Sequence, residues 1–212
     1  MIEEPMLSTK EAPTRYGGLL ICGTNYGLSP GAMPQPETLF EPWADYFAHE
    51  SNKIKDKFVS RLAVWFDWWG IRLELESGRP TEINNAISQT NLFYDSTESF
   101  ELRQPDEMDF AYTRVKKTLT RLNISGLLVA SSQLVDETRR RLSLPEWRMV
   151  RSGRYWMGFA SSGELRVVVC PHPTSHQFRE DVKVLGYEMQ KWIAEIIEEQ
   201  KKRQAIKCRI GK

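Results

Sequence analysis

Cysteine is scarce: Cys22, Cys170 and Cys208 are the only three in 212 residues, and no C-x-x-C pair occurs. An odd number at wide spacing makes a poor disulfide framework, and without a close pair a zinc or iron–sulfur site has little support. An excess of one charge is missing too. With 29 Lys and Arg against 28 Asp and Glu, the net charge is +1. No global field draws nucleic acid, so any DNA-binding surface must come from local clusters of basic residues. Long apolar runs are absent. The most apolar stretch near the start, GGLLIC ending at Cys22, is far too short to span a membrane and lacks a signal-peptide layout. The chain is therefore expected to be cytoplasmic, with no membrane partner and no obligate protein partner.

What is present reads as one globular domain. The residues are 41% hydrophobic and 27% charged, a balance that supports a packed core in a chain of this length. A single domain over 1–212 is expected, with residues 1–14 as a loosely held arm and 200–212 as a charged tail. Gly18 to Cys22 reads as a buried strand. Ile54, Phe58, Leu62, Trp65 and Trp69 recur at helical spacing, with Gly70 as the stop. Residues 86–93 end as a strand at Thr90-Asn91. Phe110 to Leu122 is a second helix, with Arg114, Lys116, Lys117 and Arg121 forming a basic face. Ile124 to Ala130 is a buried strand, and Ser131-Ser132 can cap a helix reaching about Arg141. Residues 156–159 and 165–170 pair around Ser161-Ser162-Gly163. A last long helix starts near Gln177, with Phe178, Val182, Leu185, Met189, Trp192 and Ile196 on its buried face. Cys22 and Cys170 each end an apolar run and read as small buried hydrophobes. Most of the seven tryptophans read as core.

Alternating strands and helices predict an α/β fold, a mainly parallel sheet covered on both faces. Sites in such sheets form at the carboxyl ends of the strands. Three segments bring polar residues there. Gly23-Thr24-Asn25-Tyr26-Gly27 is a glycine-flanked turn, able to polarise a carbonyl or bind an anion, or simply an ordinary turn. Asn91 offers an acceptor and donors suited to a pyrimidine edge, or forms a turn. His172, between Pro171 and Pro173, is a hydrogen-bond donor, a base or a structural histidine of a rigid loop. His176 lies four residues on, but no further ligands accompany the two histidines. No metal and no cofactor are expected.

Together these pieces resemble the uracil-DNA glycosylase superfamily. The first strand and Gly23-Thr24-Asn25-Tyr26-Gly27 look like its first motif, with forms such as G-[IM]-N-P-G. Residues 167–171 running into His172-Pro173-Thr174-Ser175 resemble its H-P-S-P motif, and Thr90-Asn91 resembles its base-reading asparagine. The resemblance spans about residues 18–191. It implies a three-layer α/β/α fold around a central, mainly parallel four-stranded sheet, and a monofunctional DNA glycosylase that flips a base and leaves an abasic site. Asn25 would position the attacking water. His172 would stabilise charge on the departing base. Gly23, Thr24, Tyr26, Gly27, Phe40 (or Phe47) and Asn91 would bind the base. Thr174, Ser175, His176, Gln177 and Phe178 would form the loop that enters the minor groove, with Gln177 or Phe178 as wedge. No lysine occupies a motif position for a Schiff base.

Tyr26 and Ser175 depart from the prolines usual in these motifs. A catalytically silent DNA- or modified-base-binding protein of the same fold is the alternative reading, and a nucleoside-processing α/β enzyme is a third. Gly27 stands where a bulky tyrosine excludes C5 substituents in the uracil-specific branch. The implied substrate is a uracil-type or C5-modified pyrimidine, in DNA repair or in defence against phage DNA carrying hypermodified bases. Arg148, Arg151 and Arg154, around a predicted turn beside Trp147 and Tyr155, are candidate phosphate contacts or a solvated loop. Lys201, Lys202, Arg203, Lys207 and Arg209 would add salt-sensitive affinity.

Overall fold

The computed structural model describes residues 18–24, 43, 57–93, 103–175 and 177–210, with backbone alone at 200 and 203–210. The elements run β1 (Gly18–Gly23), α1 (Lys57–Trp68), α2 (Glu82–Asn85), β2 (Ile87–Asn91), α3 (Pro105–Arg121) and β3 (Ile124–Ala130). After a short 3-10 turn (Ser132–Leu134) come α4 (Val135–Arg141), β4 (Arg148–Ser152), β5 (Tyr155–Ser162), β6 (Leu165–Cys170), α5 (Arg179–Val184) and α6 (Gly186–Ile210).

The fold is α/β, built on one sheet in the order β2-β1-β3-β6-β5-β4. The first four strands are parallel. The expected sheet of four strands is therefore too small: an antiparallel hairpin, β4–β5, adds two more beside β6. Its outer strand cannot be read from composition. Arg148, Met149 and Arg151 are exposed and Val150 only half-buried, so β4 lacks the apolar run that marks a covered strand.

Side chains alternate between the two faces of the sheet, and each face has its own core. Leu19, Ile21, Leu128, Ala130, Val168 and Cys170 pack with Leu62, Trp65 and Phe66 of α1 and Met189, Trp192 and Ile196 of α6. Leu20, Cys22, Leu127, Val129, Val167 and Val169 pack with Met108, Ala111, Tyr112 and Val115 of α3. Strands covered on both sides lose the polar alternation of half-exposed strands, which is why β1 and β3 read as continuous apolar runs.

Local chemistry sets the helix ends. The peptide N–H groups of Gly70 and Ile71 bond back to the carbonyls of Asp67 and Phe66. Gly70 has φ +73°. This is a Schellman termination, and the left-handed position favours a residue without a β-carbon. The third helix starts at Pro105, five residues before the expected Phe110, with proline in its first turn and a reciprocal Gln104–Glu107 capping box. Ser131 makes no side-chain cap, and α4 begins only at Val135, after the 3-10 turn. The expected single C-terminal helix is broken at Leu185 into α5 and α6. The basic face expected on α3 has one member fewer, because Arg114 is buried. No helix among the described residues is long and apolar enough to cross a membrane.

Candidate functional site

Register brings the strand ends to one rim. Gly23 pairs with Asn91, Cys22 with Val129, and Ala130 with Cys170. The rim therefore reads Asn91, Gly23, Ala130, Cys170, and His172 follows two residues beyond the last. The hairpin reaches the same rim. It runs antiparallel to β6, and its turn at Gly153 and Arg154 joins the paired residues Ser152 and Tyr155. The tyrosine hydroxyl lies beside the Cys170 thiol.

The face carrying α1 holds the candidate groups. Asn91 is almost fully buried, and its carboxamide oxygen lies across Gly23 where a β-carbon would collide with it. The next neighbour of that position is the tip of the Phe58 ring. Phe58 also packs against His172, with ring centroids 5.2 Å apart and planes tilted by 51°. Gly23, Asn91, Phe58 and His172 thus form one connected group. The backbone reinforces it: Leu92 N–H donates to the Gly23 carbonyl and Phe93 N–H to the Thr24 carbonyl, each at 2.9 Å. Thr24 is itself buried.

His172 sits in a tight turn. The Ser175 N–H and hydroxyl both donate to the His172 carbonyl, at 2.9 and 2.6 Å. Pro173 occupies the second position of this turn, where its fixed φ is favourable. Ser175 therefore closes the turn with two donors that a proline there would lack. The Thr174 N–H donates to His172 Nδ1 at 3.3 Å, and the Thr174 hydroxyl lies 2.7 Å from the same nitrogen. A peptide N–H can only donate, so Nδ1 is an acceptor and the neutral ring carries its proton on Nε2. Burial lowers the pKa of His172 below its ordinary value, favouring that neutral form.

The loop after His172 is fastened on two sides. Arg61 of α1 donates to the Thr174 carbonyl at 3.2 Å. Gln177 is half-buried and donates to the Ser175 hydroxyl at 3.0 Å. Phe178 instead leaves 66% of its surface exposed, at the residue preceding α5. Asp181 of α5 accepts weakly from the Ser152 hydroxyl and the Arg154 N–H, and its carboxylate fills the space beside Gly153. Gly153 has φ +53°, a second position where glycine is required by conformation as well as by space.

The sequence-predicted residues divide accordingly. Gly23, Asn91 and His172 converge, Thr24, Thr174 and Ser175 lie beside them, Gln177 bonds Ser175, and Phe178 is exposed ahead of α5. Asn25, Tyr26, Gly27, Phe40, Phe47 and His176 lie outside the described residues. The turn expected among the three hairpin arginines is shorter than anticipated, because Arg148 and Arg151 lie on β4. Arg151 and Arg154 are exposed at the rim end of the hairpin. Arg148, at the other end of β4, bonds Glu188 at 2.7 Å and lies over the Phe159 ring.

Three contributors have no signal in the sequence. Phe58 reads as part of a helical core stripe, which its spacing does support. Arg61 belongs to no motif that would mark it. Arg114, whose guanidinium donates to the Leu92 carbonyl next to Asn91 at 2.6 Å, falls among basic residues that read as an exposed face. Among the described residues, no three His, Cys, Asp or Glu side chains converge as metal ligands. No protein-family model matches the chain, and no curated protein matches it.

Proposed function

We propose that this protein is a monofunctional DNA glycosylase of the uracil-DNA glycosylase type, excising an extruded uracil-type or C5-modified pyrimidine. The observation that carries the reading is the convergence of Gly23, Asn91 and His172 at one rim and on one face of the sheet, with Phe58 packed on His172 and its ring tip near Gly23.

The chemistry suits these groups. Breaking the N-glycosidic bond sends its electron pair to the base and leaves cationic character on the sugar carbon. Water then bonds that carbon and releases a proton to solvent, producing an abasic site and a free base. A donor aimed at the base carbonyl lowers the barrier by stabilising the departing anion. Neutral His172, with its proton on Nε2, is such a donor, and the Thr174 contacts at Nδ1 hold the required tautomer. Asn91 is a recognition group for the edge of the base, because a carboxamide presents both an acceptor and donors. Gly23 leaves room for it, and Phe58 supplies an aromatic wall. Asn25 is proposed to orient the water, and Gly27 to leave space for a C5 substituent.

The loop and hairpin supply the grip on DNA. Phe178 is the better wedge candidate of its pair, since Gln177 is tied to Ser175 while Phe178 stands exposed. Arg151 and Arg154 supply phosphate contacts from the hairpin end. Arg148 is held by Glu188.

The test is base release from oligonucleotides carrying uracil, 5-hydroxymethyluracil or modified cytosines, each followed by alkaline cleavage to reveal abasic sites. Release of at least one base, abolished in Asn25→Ala and lowered by orders of magnitude in His172→Ala, supports the reading. Binding without release from any of them leaves the silent binder as the correct description. Release of uracil alone removes the enlarged pocket but keeps the enzyme.

A further inference from the structure

We propose that Arg114 is a positioning residue for base recognition, fixing the Leu92–Phe93 peptide just beyond Asn91 from the opposite face of the sheet. The inference rests on the glycosylase reading and deepens it.

Arg114 projects from α3, across the sheet from Phe58 and His172. It is 6% exposed, and its guanidinium donates to the Leu92 carbonyl at 2.6 Å. The other end of that residue is tied as well, since Leu92 N–H donates to the Gly23 carbonyl and the following N–H to Thr24. The segment carrying Asn91 is therefore held from β1 on one side and from α3 on the other. The Leu92–Phe93 peptide is thus held at both its carbonyl and its N–H, which keeps the end of β2 that carries the Asn91 carboxamide in place against Gly23. The positive charge lies near enough to Cys22, at the end of β1, to oppose the effect of burial on its thiol. Arg114 also lies over the Phe110 ring at 5.3 Å, which sets the guanidinium from its own helix.

Packing alone does not account for a guanidinium here. Burying a cation is unfavourable unless strong hydrogen bonds compensate, and its neighbours on this buried face are Met108, Ala111, Tyr112, Val115, Thr118 and Leu119, none of them charged. An apolar side chain would fill the same space at lower cost. What arginine adds is a planar, charge-assisted donor directed at one backbone carbonyl, at the base-reading end of β2.

The test is a double-mutant cycle on base release by the full chain, using Arg114→Met, Arg114→Lys and Asn91→Ala. For the best substrate of the panel above, Arg114→Met is expected to raise KM and lower kcat/KM about tenfold, within the coupling seen between residues of one network. It is also expected to narrow the preference for that substrate over the other bases of the panel. In the Asn91→Ala background the same substitution is expected to change neither. Arg114→Lys keeps the charge and one donor, so its effect should be smaller and should also vanish without Asn91. It carries the cycle should the methionine variant not fold. Equal effects with and without Asn91, or an unchanged base preference, would overturn the proposal, because a purely structural role produces those results. Failure of the parent reading looks different: the unmutated protein itself would release no base, which overturns both.

Discussion

The carboxamide oxygen of Asn91 occupies the space beside Gly23 that a β-carbon would fill. This approach joins the ends of two paired strands, and its partner is a buried polar side chain with little freedom to retreat. Gly23→Ala is expected to destabilise the fold by about 1–3 kcal/mol, as overpacking generally does. It should also displace Asn91 and raise the KM for DNA. Urea unfolding and steady-state base release measure the two effects separately, and a normal KM at reduced stability would dissociate Asn91 from base binding.

His172 is expected to set the acid limit of base release. Burial disfavours its charged form, so its folded pKa lies below 6.5. Above pH 6.5 it is mostly neutral in folded and unfolded chains alike. As pH falls, the unfolded chain takes up the proton first, so this group's contribution to stability is lost toward acid. The acid limb of kcat/KM is expected below pH 6.5. His172→Ala should lower kcat by about 10²–10³-fold, the usual effect of removing a donor at developing negative charge. A pH–rate profile of both proteins checks this: an acid limb unchanged in the variant would assign it to another group.

Phe178 is expected to matter to DNA far more than to folding. Because its ring is exposed, Phe178→Ala should shift unfolding by no more than about 0.5 kcal/mol. Base release from duplex should fall about tenfold if the ring supports the extruded state, since unstacking is what such a wedge offsets. Release from single-stranded DNA should fall less. Equal declines on both substrates would remove the wedge.

The arginines at the hairpin end predict a salt dependence. Replacing Arg151 and Arg154 by alanine should flatten the plot of log affinity against log salt by about one unit for each phosphate no longer neutralised. Arg148→Ala should leave the slope unchanged, because that guanidinium is held by Glu188. Fluorescence anisotropy with an inactive variant over a salt series gives the slopes directly.

Cys22 and Cys170 are buried, and burial pushes both thiols up to about 12. Native protein treated with iodoacetamide at pH 8 should leave both unmodified, and unfolding in urea should expose them, since the thiolate is the reacting species. Peptide mass spectrometry reads the outcome at each cysteine.

How much of this is legible in the sequence depends on what each residue packs against. The parallel core is visible because β1, β3 and β6 are covered on both faces along the apolar runs Leu19 to Cys22, Leu127 to Ala130 and Val167 to Cys170. The hairpin's outer strand is not, because its exposure admits Arg148, Met149 and Arg151 without a strand signature. Gly23, Asn91 and His172 are recognisable as strand-end residues, and register does bring them to one rim. Phe58 looks like any other member of a helical stripe, since its spacing says nothing about a histidine more than a hundred positions away. Arg114 misleads for a similar reason. Its bond to the Leu92 carbonyl is made to the backbone, which no side-chain pattern in the sequence announces.

The strand order also bears on synthesis. β1 lies between β2 and β3, and Leu19 pairs with Ile87 on one side and Gly126 on the other. At roughly 5–20 residues per second, the nascent chain displays this apolar strand for several seconds before its first partner emerges. Crowded ribosomes making this protein therefore hold many sticky, unfinished chains, and soluble yield should improve with added chaperone.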